Sequence, residues 1–373
     1  MVTAAVATAA PPNTALVAVI AGNSTHRNEV AHALTSFYRV AGYGDASQAL
    51  EELERTPPCV VVVDEMVPPF GGLAVVRRLR ERQGLRDVPI ICTAVMERMR
   101  GDPRQLGADA FLGKPFRRSA LIRAISGLVN KRVEGAWDSL PAVPRESLKR
   151  TIDVFNGISD LIDKGEPLAY RAVQDACAPL VDAVKSNDFK VILSGVKDHD
   201  NYSYVHSLRV ATFLSLFGYT VGLKGDDLAL LASGGLVHDI GKMFIPHEVL
   251  NKPGKLVDKE WDLMKSHVAR TSDYLRGTSD VPRGVLTIAE QHHEKLDGTG
   301  YPRGIGQLNE LARMASIADV FGALTDRRCY KPPMAPEEAL KIMTEDMKPA
   351  LDQHLLAMFR EMLLDAAAAG PIE

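Results

Sequence analysis

The sequence predicts a multidomain chain: an α/β doubly wound parallel sheet, then a helical linker, then an all-α domain. Three observations predict it. Short β-branched runs, ALVAVIAG (15–22), PPCVVVVDE (57–65) and DVPIICTAV (87–95), alternate with amphipathic stretches at 28–34, 46–53 and 73–82. Strands buried on both faces and helices between them define a doubly wound sheet. After Pro141 and Pro144 that alternation stops and helical periodicity takes over. Eight of the ten histidines then fall at or after His199, within the helical part.

Residues 1–13 are Ala-rich, lack a basic segment and carry Pro11-Pro12, and read as a disordered tail rather than a signal peptide. The sheet occupies 14–131. In 132–167, Leu148, Ile152, Phe155, Ile158 and Ile162 recur at spacings of three and four, forming one apolar stripe. That stripe either packs on its own chain or forms a short parallel coiled coil in a homodimer. The helical domain occupies 168–373, with a frayed end at AAAAGPIE.

Composition narrows the class. The 373 residues are 46% hydrophobic and 24% charged, as in an ordinary soluble protein with room for real cores. A net charge of -3 gives no general drive toward nucleic acid or anionic membrane. No apolar run approaches the roughly 18 residues of a membrane span. Four scattered cysteines (Cys59, Cys92, Cys177, Cys329) form no CxxC, which disfavours a disulfide framework or thiolate zinc site and fits a reducing cytoplasm.

The chemistry gathers in GGLVHDIGK (234–242), where small apolar residues lead into His238-Asp239 and then Lys242. Buried polar groups of this kind are costly unless satisfied, so a salt-bridged pair, a helix terminus or a metal site are the candidates. His206, His267, His292, His293 and Asp319 supply further ligand types in helical sequence. The adjacent pairs His238-Asp239 and His292-His293, on neighbouring helical positions about 100° apart, face one cavity while aiming at different ions. Five imidazoles and two carboxylates suit Fe, Mn, Zn or Co better than Mg alone. Two such ions about 3.5–4 Å apart acidify a bridging water and clamp a phosphoryl group. Downstream, Asp297-Gly298-Thr299-Gly300-Tyr301-Pro302 specifies a tight loop that brings Tyr301 beside the histidine pair as a rim for substrate.

VHDIGK, KPGKL (252–256), MKSH (264–267), HHEKLDGTGYP (292–302) and ADVFGALTDRRCYK (318–331) closely resemble the HD-GYP family of cyclic di-GMP phosphodiesterases, a branch of the HD superfamily, over roughly 168–365. The resemblance implies an all-α HD-type metal-dependent phosphohydrolase domain that hydrolyses cyclic di-GMP to pGpG and/or GMP through a hydroxide bridging two metals, Fe or Mn. It implies His206, His238, Asp239, His267, His292, His293 and Asp319 as ligands, with Asp239 bridging. It also assigns Lys242 to the scissile phosphate, and Tyr301, Arg328 and Lys331 to the dinucleotide. Some relatives carry a Glu four residues before the first histidine for a third metal; Tyr202 stands there, so two metals are expected. Gly322 stands where the family writes Asp, which removes outer support from the site. His247 replaces an Asp of an exposed loop.

In the first domain, Asp64 ends its strand and precedes EMVPPFGG (65–72), and GADAFLGKPF (107–116) carries Lys114. This resembles the response-regulator receiver domain, with Asp64 at the phosphoacceptor position, Lys114 at the family lysine, and Thr93 or Ala94 at the Thr/Ser position. The acid pair that holds Mg²⁺ in receivers aligns with Ala21 and Gly22, leaving that ion short of oxygen ligands. The expectation is a degenerate receiver used for regulation, dimerisation or docking to a sensor kinase or other signalling partner. The alternatives to cyclic di-GMP turnover are another cyclic dinucleotide as substrate, or a nucleotide-binding scaffold of low activity.

Overall fold

A computed structural model describes residues 16–34, 38–95, 107–116, 118–250, 252, 254–326 and 334–368. The chain divides into two compact units between Arg132 and Val133.

The first unit runs β1 (Leu16–Ile20), α1 (Ser24–Leu34), β2 (Arg39–Tyr43), α2 (Ala46–Arg55), β3 (Val60–Asp64), α3 (Gly72–Glu81), β4 (Ile90–Ala94), β5 (Ala110–Gly113) and the start of α4 (Arg118–Ala136). All strands are parallel, in the order β2-β1-β3-β4-β5. One face packs on Leu50, Leu53, Val75 and Leu79 of α2 and α3, and the other on Leu34, Leu121 and Ile125 of α1 and α4. This is the doubly wound α/β sheet expected from the sequence. The wholly buried β3 and β4 and the nearly buried β1 are the three apolar runs. The outer strands β2 (RVAGY) and β5 (AFLG) are half exposed and carry no such run, so periodicity missed β2 and gave β5 only through its motif. The register sets Asp64 beside Thr93 at the carboxyl end of the sheet, where such folds place their chemistry.

The second unit is helical throughout its described residues: α5 (Ala142–Lys164), α6 (Tyr170–Lys185), α7 (Phe189–Val196), α8 (Tyr202–Thr220), α9 (Asp226–Val237), α10 (His247–Leu250), α11 (Asp258–Arg276), α12 (Arg283–Gln291), α13 (Glu310–Thr325), α14 (Pro336–Glu345) and α15 (Gln353–Ala368). Leu148, Ile152, Phe155 and Ile158 of α5 are buried in a core shared with α6, so these four residues of the stripe pack on their own chain. Helix α8 is apolar on every side and buried along most of its length, which makes it the axis of the unit. Helix α9 lies against it backbone to backbone. A Cβ at Gly235 would stand 2.5 Å from Ala211 Cα, so the small residues before His238 are what let the two helices approach.

Candidate metal centre

Seven ligand-type side chains converge at the ends and faces of five helices. His206 comes from α8, His238 caps α9, and Asp239 follows it. His267 lies on α11, His292 caps α12 with His293 next, and Asp319 lies on α13. The adjacent pairs straddle helix termini and do not sit inside helices as the sequence suggested. His238 keeps helical dihedrals, whereas Asp239 (φ -114°, ψ 8°) has left the helix. The physical reason is the unpaired carbonyls of a helix's last turn. His238 Nδ1 bonds Gly235 O at 2.7 Å, and His292 Nδ1 bonds Ala289 O at 3.1 Å. His267 does the same within α11, to Met264 O at 2.6 Å. Each bond fixes the ring and turns Nε2 toward the centre.

Asp239 stands between two groups of imidazoles. Its Oδ2 lies 3.6 Å from His206 Nε2 and 3.3 Å from His238 Nε2. Its Oδ1 lies 3.1 Å from His267 Nε2 and 3.7 Å from His292 Nε2. Asp319 divides similarly, with Oδ1 2.9 Å from His206 Nε2 and Oδ2 3.3 Å from His293 Nδ1. Two four-donor groups result, His206–His238–Asp239–Asp319 and Asp239–His267–His292–His293, each with its donor atoms within 4.8 Å of one another. Asp239 belongs to both.

Nε2 of His238, His267 and His292 and Oδ1 of Asp239 are buried and lack a hydrogen-bond partner. Four such orphans in one place are expensive unless a cation satisfies them, and the N/O donor set fits a divalent transition-metal ion. Burial opposes charge on His238, yet Asp239 and Asp319 outweigh it and push the imidazole up to about 10. Burial also opposes the charged form of both carboxylates, and the surrounding cations nonetheless hold Asp239 and Asp319 well below the usual range. Burial, reinforced by His292, drives His293 well below an ordinary histidine.

Lys242, in the 3-10 turn Ile240–Phe244, pairs with Asp239 Oδ2. Tyr301 lies over His293, ring centroids 4.6 Å apart, and burial raises its hydroxyl pKa. Arg328 and Lys331 lie outside the described residues, as does the side chain of His247. Tyr202 stacks on His206 at 5.9 Å.

Four residues escaped the sequence reading. Glu294 is fully buried and accepts the N–H groups of Arg303 (2.7 Å) and Ile305 (3.0 Å), tying the Tyr301 loop back to the histidine pair. The half-exposed Trp261 meets the edge of Tyr301 at 6.1 Å. Asp326 bonds His206 Nδ1 at 2.7 Å. In the first unit, His26 lies 3.5 Å from Asp64. Only Glu294, by its place next to the histidine pair, carried a signal that could have found it.

The Asp64 site itself is compact. Thr93 Oγ1 donates to Oδ2 at 3.0 Å, Met66 N–H donates to Oδ1 at 3.0 Å, and Lys114 pairs with Oδ2. Thr93, not Ala94, therefore faces the acid. A Cβ at Gly22 would lie 2.6 Å from Met66 O and 2.7 Å from Pro68 Cδ, so the chain fills the place of an acid there.

Residues 17–126 match the response regulator receiver domain and residues 191–355 match the HD domain. The chain thus matches a receiver domain and an HD domain in succession. It is 37% identical over 164 residues to a 3'3'-cGAMP-specific phosphodiesterase of Vibrio cholerae, covering 43% of this chain and 35% of that protein. It is 38% identical over 152 residues to a cyclic di-GMP phosphodiesterase of Pseudomonas aeruginosa, covering 40% of this chain and 37% of that one. The cyclic di-GMP phosphodiesterase response regulator RpfG of Xanthomonas campestris is 29% identical over 308 residues, 81% of this chain and 75% of that protein. The chain thus spans little more than a third of the length of the first two. Among the described residues no helix is long and apolar enough to cross a membrane.

Proposed function

We propose that the chain is a metal-dependent phosphodiesterase that opens cyclic di-GMP by hydrolysis. The observation that carries this reading is the pair of buried four-donor groups sharing Asp239 beside the Tyr301 loop. His206, His238, Asp239 and Asp319 would hold one divalent ion, and Asp239, His267, His292 and His293 the other. Such ions supply Lewis acidity toward the phosphoryl oxygens and lower the pKa of a nearby water. The rest belongs to the chain. Asp239 and Asp319 set the charge of the centre, and burial of the imidazoles keeps bulk water away. Lys242, partly exposed and three residues beyond Asp239, balances negative charge on the phosphate. Water adds to phosphorus, the ribose 3'-oxygen leaves and takes up a proton, and pGpG results. A second round gives GMP.

Chromatography of cyclic di-GMP incubated with Fe(II)- or Mn(II)-loaded protein tests this. Conversion to pGpG or GMP is expected, and none from fully metallated protein would refute it. The cGAMP-specific relatives give a second substrate, 3'3'-cGAMP, a reason to be run beside the first.

Trp261 and Tyr301 form an aromatic edge suited to stacking a guanine. At about 1–3 kcal/mol per stacked base, Trp261→Ala should raise KM about tenfold and leave kcat nearly unchanged. An unchanged KM would remove Trp261 from the binding site.

The receiver domain, on this reading, signals without Mg²⁺-dependent phosphorylation. The space at Gly22 is closed, and Lys114 and His26 already face Asp64. Acetyl phosphate with Mg²⁺ should label the protein no more than Asp64→Ala does. Stoichiometric labelling lost in that variant would contradict this.

A further inference from the structure

We infer that Asp326 is the positioning carboxylate of the metal centre, in place of a carboxylate that position 322 does not supply. The inference rests on the metal-binding reading above. Three of the imidazoles, His238, His267 and His292, are oriented by carbonyls of their own helices, and His293 turns Nδ1 itself inward. His206 differs. Its Nδ1 meets Asp326 Oδ2 at 2.7 Å, while its Nε2 faces Asp319 and Asp239. Asp326 is almost fully buried, and its Oδ1 pairs with Arg209 at 2.5 Å, three residues beyond His206 on α8. A continuous line results: Arg209, Asp326, His206, then the centre.

Gly322 lies in the last turn of α13, four residues before Asp326, which caps that helix in an extended conformation. A Cβ placed there would stand 3.5 Å from both Nδ1 and Cε1 of His206 and 3.3 Å from Val210 Cγ2. A side chain at 322 therefore approaches the ring nitrogen that Asp326 occupies. The two positions are alternative sources of one carboxylate, and glycine at 322 leaves the ring to Asp326. A carboxylate on Nδ1 holds the imidazole with its proton there and makes Nε2 a better donor than a carbonyl partner does. The missing Asp at 322 is thus not a lost support but a moved one.

A double-mutant cycle in the full chain tests this, read by Mn(II) affinity against a competing chelator and by metal stoichiometry. Asp326→Ala should weaken one of the two sites about 10–100-fold and spare the other. Asp326→Asn, which keeps an acceptor but not the charge, should fall between. Gly322→Asp should lower affinity in the wild-type background, where two carboxylates contend for one N–H, and raise it in Asp326→Ala. That reversal of sign is not produced by a merely structural role. Should Asp326→Ala fail to fold because Arg209 is left uncompensated, recovery of folding and metal by Gly322→Asp supports the inference, and failure of the double variant overturns it. Unchanged affinities in folded Asp326→Ala also overturn it. A wild-type chain that takes up no metal defeats the metal reading instead, a distinct result.

Discussion

Asp239→Ala is expected to abolish turnover of the cyclic dinucleotide, by at least about 10³-fold, and to reduce bound metal to at most one ion per chain. The reason is the division of its carboxylate: Oδ2 serves His206 and His238, and Oδ1 serves His267 and His292. No other residue belongs to both donor groups. Its loss also removes the carboxylate that faces both Lys242 and His238. Asp239→Asn keeps the volume yet should show the same metal loss, because an amide cannot balance two cations. Elemental analysis beside chromatography of the reaction checks both variants. Two ions retained in either would contradict the assignment of Asp239 as the shared ligand.

Gly241→Ala should be the most damaging substitution outside the ligands. A Cβ there would stand 2.0 Å from the carbonyl oxygen of His267 and 2.5 Å from Thr271 Oγ1, and the Gly241 N–H donates to that same hydroxyl at 2.8 Å. Both atoms belong to one turn of α11, and its backbone cannot swing aside as a side chain would. Overpacking of this kind costs about 3 kcal/mol, or about 6–12 °C in Tm for a unit of this size. His267 moves with the displaced turn, so metal affinity should fall too. Gly157→Ala in α5 is the control. Nothing lies within 4 Å of its added carbon, and a small gain of about 0.5–1 kcal/mol is expected. Thermal melts that do not separate the two variants would show that the contact at Gly241 relaxes freely.

What the sequence made legible follows from what each residue must do alone. β1, β3 and β4 announce themselves because a strand buried on both faces needs a continuous apolar run, whereas β2, at an edge, does not. The candidate ligands were legible as residue types: His238-Asp239 and His292-His293 make little sense as core without a cation. Their placement across helix ends was not, because it depends on carbonyls that only the folded chain exposes. Asp326 reads in the sequence as one more charge near a helix end, and only packing brings it to His206, 120 residues away. Gly322 shows the limit most plainly. It reads in the sequence as lost support, and only the fold sets Asp326 against the same ring. The α5 stripe left two readings open, and the fold shows its first four residues buried against α6.

The most direct test of the account is the metal content of the full chain, purified without oxygen and loaded with Fe(II) or Mn(II), measured per protein by elemental analysis. The account predicts two ions per wild-type chain, falling in Asp239→Ala. A wild-type chain that holds none, or two held equally well without Asp239, would contradict it.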